Sequence, residues 1–152
     1  MDEPKIKVKA MCLLTQDGFI LVADGNSMSS NVRKVVPGNF YRVLGGSMNF
    51  DETVEEAVRR EVREETEIEI EDLKFLNVVE NRFVYAGEKG HEVVFLFQGK
   101  PKEDNLDKNK IIHAVDGDYE FDAVWVSIPE LLKGPKPLYP DFDYSKILGQ
   151  SF

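Results

Sequence analysis

Three glutamates carry the chemistry this sequence offers. Glu61, Glu64 and Glu65 lie in the stretch GGSMNFDETVEEAVRREVREETEI, residues 45–68. Upstream, Thr53 and Glu56 have the spacing of a capping box, which predicts a helix from about Val54. Advancing roughly 100° per residue puts Val54, Ala57 and Val58 on one face, the face to be buried. Two further turns carry that face to Glu61, Glu64 and Glu65. An ordinary amphipathic helix would have Leu or Val at some of these places. Partly buried and unpaired, such carboxylates would be costly or would take up protons. Side chains at helical spacing start about 5–6 Å apart, so their oxygens can converge on a hard cation. Mg²⁺ takes oxygen ligands at about 2.1 Å and is completed by water and substrate phosphate. The pattern points to a Mg²⁺ or Mn²⁺ site.

A solvated helix face is the plain alternative, with Arg59, Arg60 and Arg63 neutralising Glu55, Glu56 and Glu64. Two features weigh against it. The carboxylates continue the apolar face rather than opposing it. Gly45 and Gly46 also read as a turn just upstream, where bare backbone can approach a ligand.

The stretch resembles the signature of the Nudix hydrolases. That pattern is Gly, five residues, Glu, seven residues, Arg-Glu, an aliphatic, any residue, Glu-Glu, any residue, Gly, an aliphatic. Gly46, Glu52, Arg60, Glu61, Val62, Glu64, Glu65 and Ile68 fall on their places. Glu67 stands where the family has a Gly that ends the helix in a left-handed conformation. A different helix exit is therefore expected.

The resemblance covers roughly Lys7 to Leu132. It implies an α/β fold, a Nudix α/β/α sandwich with a mixed central sheet. It also implies metal-dependent hydrolysis of a phosphoanhydride bond in a nucleoside diphosphate linked to another group. Nucleoside triphosphates, ADP-sugars and dinucleoside polyphosphates all meet that description. The implied cofactor is Mg²⁺ or Mn²⁺. Glu61 and Glu65 are the implied primary ligands, with Glu64 the third and the Gly45 backbone carbonyl a further one. Glu64 and Glu65 are the catalytic candidates within the motif. Glu52 and Arg60 read as an ion pair holding the turn of Gly46 against the helix. Arg42, on the preceding strand, is a candidate substrate contact. Glu92 opens an apolar strand next to a turn, an awkward place for a carboxylate. In several family members a glutamate beyond the helix completes the site, so the general base is Glu64 or Glu92. The rival reading is a non-catalytic nucleotide-binding or regulatory module on the same fold. The intact carboxylates count against it.

The rest of the chain must position these groups. Its 152 residues suggest one domain, 1–152, with a sizeable core. At 42% apolar and 31% charged, the composition is that of a soluble protein. A net charge of −9 argues against coating a nucleic-acid polymer. It leaves room for a nucleotide substrate whose contact is mediated by cations. Cys12 is alone, so no internal disulfide forms. No apolar run is long enough for a membrane span and no signal-like h-region opens the chain, so a cytoplasmic location is expected. Many Nudix relatives form homodimers, but the sequence identifies no interface.

Ile6–Leu14 and Phe19–Ala23 read as a hairpin about Gln16-Asp17-Gly18. Asp24–Asn39, with Arg33 and Lys34, reads as a long polar loop. Phe40–Leu44 is a short strand, and Leu73–Tyr85 a longer, bent one. Glu88-Lys89-Gly90 reads as a turn before His91–Gln98, a strand whose near-continuous apolar run predicts burial on both faces. His91 reads as a strand-edge hydrogen-bonding residue. Lys100–Gly117 reads as a charged loop with a short apolar break at Ile111-Ile112, a strand or a helical turn. Tyr119–Ser127 is a strand leading into a helix capped by Ser127, and Asp143–Phe152 a terminal helix. Phe40, Tyr41, Phe83 and Tyr85 are aromatics able to stack a base, though each suits the core better.

Overall fold

Alternation along the first strand sorts the molecule into two cores. In β1 (Lys7–Gln16), Ala10, Cys12 and Leu14 point into one apolar cluster, while Met11 and Leu13 point into another. A strand buried on both faces needs a layer on each side. The computed structural model, which describes residues 3–28, 39–85, 87–116 and 119–149, supplies both layers.

The strands are β1, β2 (Phe19–Asp24), β3 (Tyr41–Ser47), β4 (Ile70–Tyr85), β5 (Glu88–Pro101), β6 (Ile112–Asp116), β7 (Tyr119–Ser127) and β8 (Leu138–Tyr139). The helices are α1 (Val54–Thr66), α2 (Ile128–Lys133) and α3 (Ser145–Leu148). The sheet runs β4-β5-β1-β3-β2-β7-β6, with β8 on β3. The β1–β5 and β3–β8 pairs are parallel and the others antiparallel, so the sheet is mixed. Helix α1 packs mainly on β1, β3 and β6 and gives Ala57, Val58 and Val62 to the first core. From α2 and α3, Ile128, Leu131 and Leu148 join the second core on the opposite face. The result is the α/β/α sandwich with a mixed sheet that the resemblance implied.

The hairpin turn is Asp17-Gly18, with φ of 54° and 80°. Two left-handed residues match the twist of the flanking strands, which is why Asp-Gly serves there. Several readings from sequence need correcting. Gly45 and Gly46 do not form a turn. They lie within β3, paired with Met11 and Ala10. Lys89 and Gly90 are not a turn either, because Tyr85 already pairs with Glu88 and β5 begins there. Gly87, at φ +81°, takes the left-handed place in that short connection. At the apolar break after Lys100, of the two alternatives, the strand forms: β6 starts at Ile112 and pairs along β7. Leu138 and Tyr139, between prolines, add a short strand to β3. The terminal helix is one turn, Ser145–Leu148. In β5, Val94, Leu96 and Phe97 are buried but Val93 and Phe95 are only half covered, since α1 sits mainly over other strands. Arg33 and Lys34 lie outside the described residues.

Candidate active site

Helix α1 is held at both ends by local chemistry. At the start, Thr53 Oγ1 accepts from the Glu56 N–H at 3.1 Å, and Glu56 Oε1 accepts from the Thr53 N–H at 3.0 Å. This is the reciprocal capping box. At the end, Glu67 has φ 63° and ψ 14°, and its N–H donates to the Arg63 carbonyl at 2.8 Å. The expected departure in helix exit does not occur. Glu67 itself adopts the left-handed conformation of the motif glycine, at a backbone cost of about 1 kcal/mol.

Between these ends the apolar face runs into the carboxylates. Glu61 is 8% exposed and Glu65 4%, whereas Glu64 faces solvent. Burial of the first two depends on β3 carrying glycines beneath them. A Cβ on Gly46 would lie 2.5 Å from Glu61 Oε2 and 2.6 Å from its Cδ. The Glu61 carboxylate thus occupies the volume a side chain would fill. Gly45, at φ +142°, lies so close to β1 that a Cβ would collide with the Ala10 carbonyl. Its N–H donates to Glu65 Oε1 at 3.2 Å. Two glycines therefore let one strand meet both buried glutamates.

One guanidinium organises the remaining charges. Arg60 Nε donates to Glu52 Oε2 at 2.7 Å and Nη2 to Glu52 Oε1 at 3.0 Å, a bidentate pair. Nη1 reaches Glu61 Oε1 at 3.1 Å and Glu64 Oε2 at 3.2 Å, and Nη2 also donates to the Ser47 carbonyl. Arg60 thereby ties the loop before α1 and the end of β3 to the helix. The Arg60 bond, with help from the Asn49 N–H, lowers the Glu52 carboxyl from 4.5 to about 2. The same pairing raises Arg60 further above its already high value.

The other sequence candidates are placed as follows. Arg42 is on β3 on the α1 side of the sheet, about 10 Å of strand from Gly45. Its guanidinium carbon lies 5.5 Å from the centre of the Phe121 ring. Glu92 is not gathered with the three glutamates. It shares the face of β5 that carries Val94 and Leu96, the face opposite α1. Its Oε1 accepts from Asn81 Nδ2 at 3.2 Å and its Oε2 lies 3.8 Å from Lys9 Nζ. That company explains a carboxylate at the start of an apolar strand. Asn81 and Lys9 carry no local sequence signal, because strand register brings Asn81 opposite Glu92. Phe40 packs edge-on against Tyr139, and Lys136 Nζ sits 4.1 Å over the Tyr41 ring.

The donor set suits a hard divalent cation. Glu61, Glu64 and Glu65 offer only oxygen, as does the backbone of β3. Among the described residues, no three acidic, His or Cys side chains are gathered into a closed cage. Arg60 holds Glu61 and Glu64 instead, and Glu64 is exposed enough to swing. Three carboxylates, Glu52, Glu61 and Glu64, share this one guanidinium, and Glu65 lies on the same helix, so the cluster carries an excess of negative charge.

Residues 5–145 match the NUDIX domain. The chain belongs to the Nudix family. Among solved structures, a MutT NUDIX hydrolase from Burkholderia pseudomallei is 25% identical, with a TM-score of 0.58 over 97% of this chain and 99% of that one. A mutator MutT protein from Bacillus halodurans is 18% identical, with a TM-score of 0.61 over 86% of this chain and 74% of that one. The E. coli ORF135 protein is 23% identical, with a TM-score of 0.51 over 90% and 83%. The last two show the shared fold. A Nudix hydrolase acts on nucleoside diphosphate derivatives, and the family generally uses divalent metal ions. No described helix of this Nudix chain is long and apolar enough to cross a membrane.

Proposed function

We propose that this Nudix chain hydrolyses a phosphoanhydride bond in a nucleoside diphosphate linked to another group, with Mg²⁺ or Mn²⁺. The observation that carries the proposal is the burial of Glu61 and Glu65 against the side-chain-free backbone of Gly46 and Gly45. A fold that only needed a stable helix would place apolar residues there.

Glu61 and Glu65 would hold the cation, with Glu64 and the Gly45 carbonyl as further ligands. When bound, the cation neutralises phosphate oxygens and makes a bound water more acidic. The chain's own residues do the positioning. Arg60 keeps Glu61 and Glu52 in register with β3. Glu64, exposed on α1, would take a proton from water. Its position on α1 favours it as the base over Glu92, which lies on the other face of the sheet. Arg42, on the α1 side of β3, is the proposed contact for a phosphate or ribose. Nucleoside triphosphates, ADP-sugars and dinucleoside polyphosphates all meet this description.

A panel of these nucleotides, assayed with Mg²⁺ and Mn²⁺ separately, tests the proposal through release of phosphate or nucleoside monophosphate. Turnover of at least one substrate, abolished by EDTA, is the expected result. Glu64→Gln and Glu65→Gln should each lower the rate by about 100-fold or more while the protein stays folded. No turnover by well-folded protein would favour the non-catalytic binding module instead. Near-normal turnover in both variants would remove Glu64 and Glu65 from the machinery.

A further inference from the structure

Strand β4 lies at one edge of the sheet, where its described partner is β5. An edge strand of this length is a template for another chain. The first half of β4 is broken by register shifts, between Glu71 and Lys74 and between Phe75 and Asn77. Such bulges blunt an edge. From Asn77 to Tyr85 the pairing with β5 runs on without a shift. This regular stretch reads NVVENRFVY.

Laid antiparallel on a second copy of itself about Asn81, the stretch is self-complementary. Glu80 then faces Arg82 of the second copy, and Arg82 faces its Glu80. Val78 faces Val84, and Val79 faces Phe83. The side chains of residues 78, 80, 82 and 84 share one face of the strand. All four are exposed, Val78 at 44% and Val84 at 72%. A two-fold axis through Asn81 would thus make two cross-strand ion pairs flanked by two valine pairs. The charges also select this register. A shift that moves the axis to residue 80 sets Glu80 against Glu80, and a shift to residue 82 sets Arg82 against Arg82. A shift of a single position turns every side chain to the wrong face. Like charges directly opposite one another destabilise a pair of strands.

We propose that two copies of this chain pair antiparallel along Asn77–Tyr85, joining their sheets across a two-fold axis at Asn81. An isologous contact of this kind closes on itself and stops at two subunits. The carboxylate site is on β3, with β1 and β5 between it and this edge, so both sites stay open. The inference does not depend on which reaction the site performs.

Sedimentation equilibrium tests it. The wild-type chain should give a mass of about 35 kDa, twice the 17.3 kDa of one copy. Arg82→Glu alone, or Glu80→Arg alone, replaces both ion pairs by like charges and should weaken the dimer on the order of 100-fold. Combining the two changes restores opposite charges across the axis and should restore the dimer. An Asn81→Cys variant should form an intermolecular disulfide on mild oxidation, since residues opposite one another lie about 4.5–5.5 Å apart at Cα. Cys12 is buried and does not compete. A wild-type monomer at every reachable concentration overturns the proposal. So does a dimer indifferent to either reversal, a charge-swapped double variant that stays monomeric, or an Asn81→Cys chain that does not cross-link.

Discussion

Arg60 shows how one residue can decide the character of a site. It binds Glu52 through two bonds and reaches Glu61, Glu64 and the Ser47 carbonyl as well. Three carboxylates share it, so it restrains them without neutralising them. Glu67 is the other instructive residue. The backbone there needs the left-handed geometry that glycine adopts freely, and a glutamate has been placed in it. Glu67→Gly should therefore stabilise the protein by about 1 kcal/mol. For a chain of this length that corresponds to a rise in Tm of roughly 2–4 °C in calorimetry. An unchanged or lower Tm would mean the glutamate side chain offsets its own backbone cost.

The working unit is the pair of elements β3 and α1. The strand supplies two adjacent glycines and the helix supplies the glutamates that lie on them. The two glycines are required for different reasons, and alanine substitutions should separate them. At Gly45 the added Cβ meets the backbone of Ala10 and Met11 at a positive φ. Neither obstacle can rotate away, so Gly45→Ala should destabilise the fold by about 3 kcal/mol or more. At Gly46 the atoms nearest the added Cβ are those of the Glu61 carboxylate. A side chain can yield where a strand cannot. Gly46→Ala should keep most of its stability in a denaturant melt but lose hydrolysis by about 100-fold as Glu61 is displaced. Equal effects of the two changes on stability would contradict this division.

At the scale of the molecule, the proposed cation site and a net charge of −9 predict that divalent cations stabilise the fold. A ligand that binds only the folded state stabilises it by RT ln(1 + [L]/Kd), about 2.7 kcal/mol at a hundred-fold excess over Kd. Mg²⁺ or Mn²⁺ should therefore raise Tm above that in NaCl of equal ionic strength, and EDTA should reverse the rise. The gain should be largely absent in Glu61→Gln and Glu65→Gln. An equal gain in NaCl would mean general screening of the surface charge instead.

Much of this was legible in the sequence because it rests on local rules. The capping box, the carboxylate stripe and the Asp-Gly hairpin turn are each set by residues a few positions apart. Periodicity along α1 likewise announced the burial of Ala57, Val58, Glu61 and Glu65, but not the exposure of Glu64. What needed the fold were the relations between distant segments. Gly45 and Gly46 look like a turn in isolation and become strand only when β1 pairs with them. Glu92 looks like a partner of the helix glutamates, yet alternation along β5 turns it to the other face, beside Lys9 and Asn81. Spacing along a helix is written in the chain itself. The face and neighbour of a strand residue depend on a register set by segments tens of residues away, so only the tertiary structure decides them.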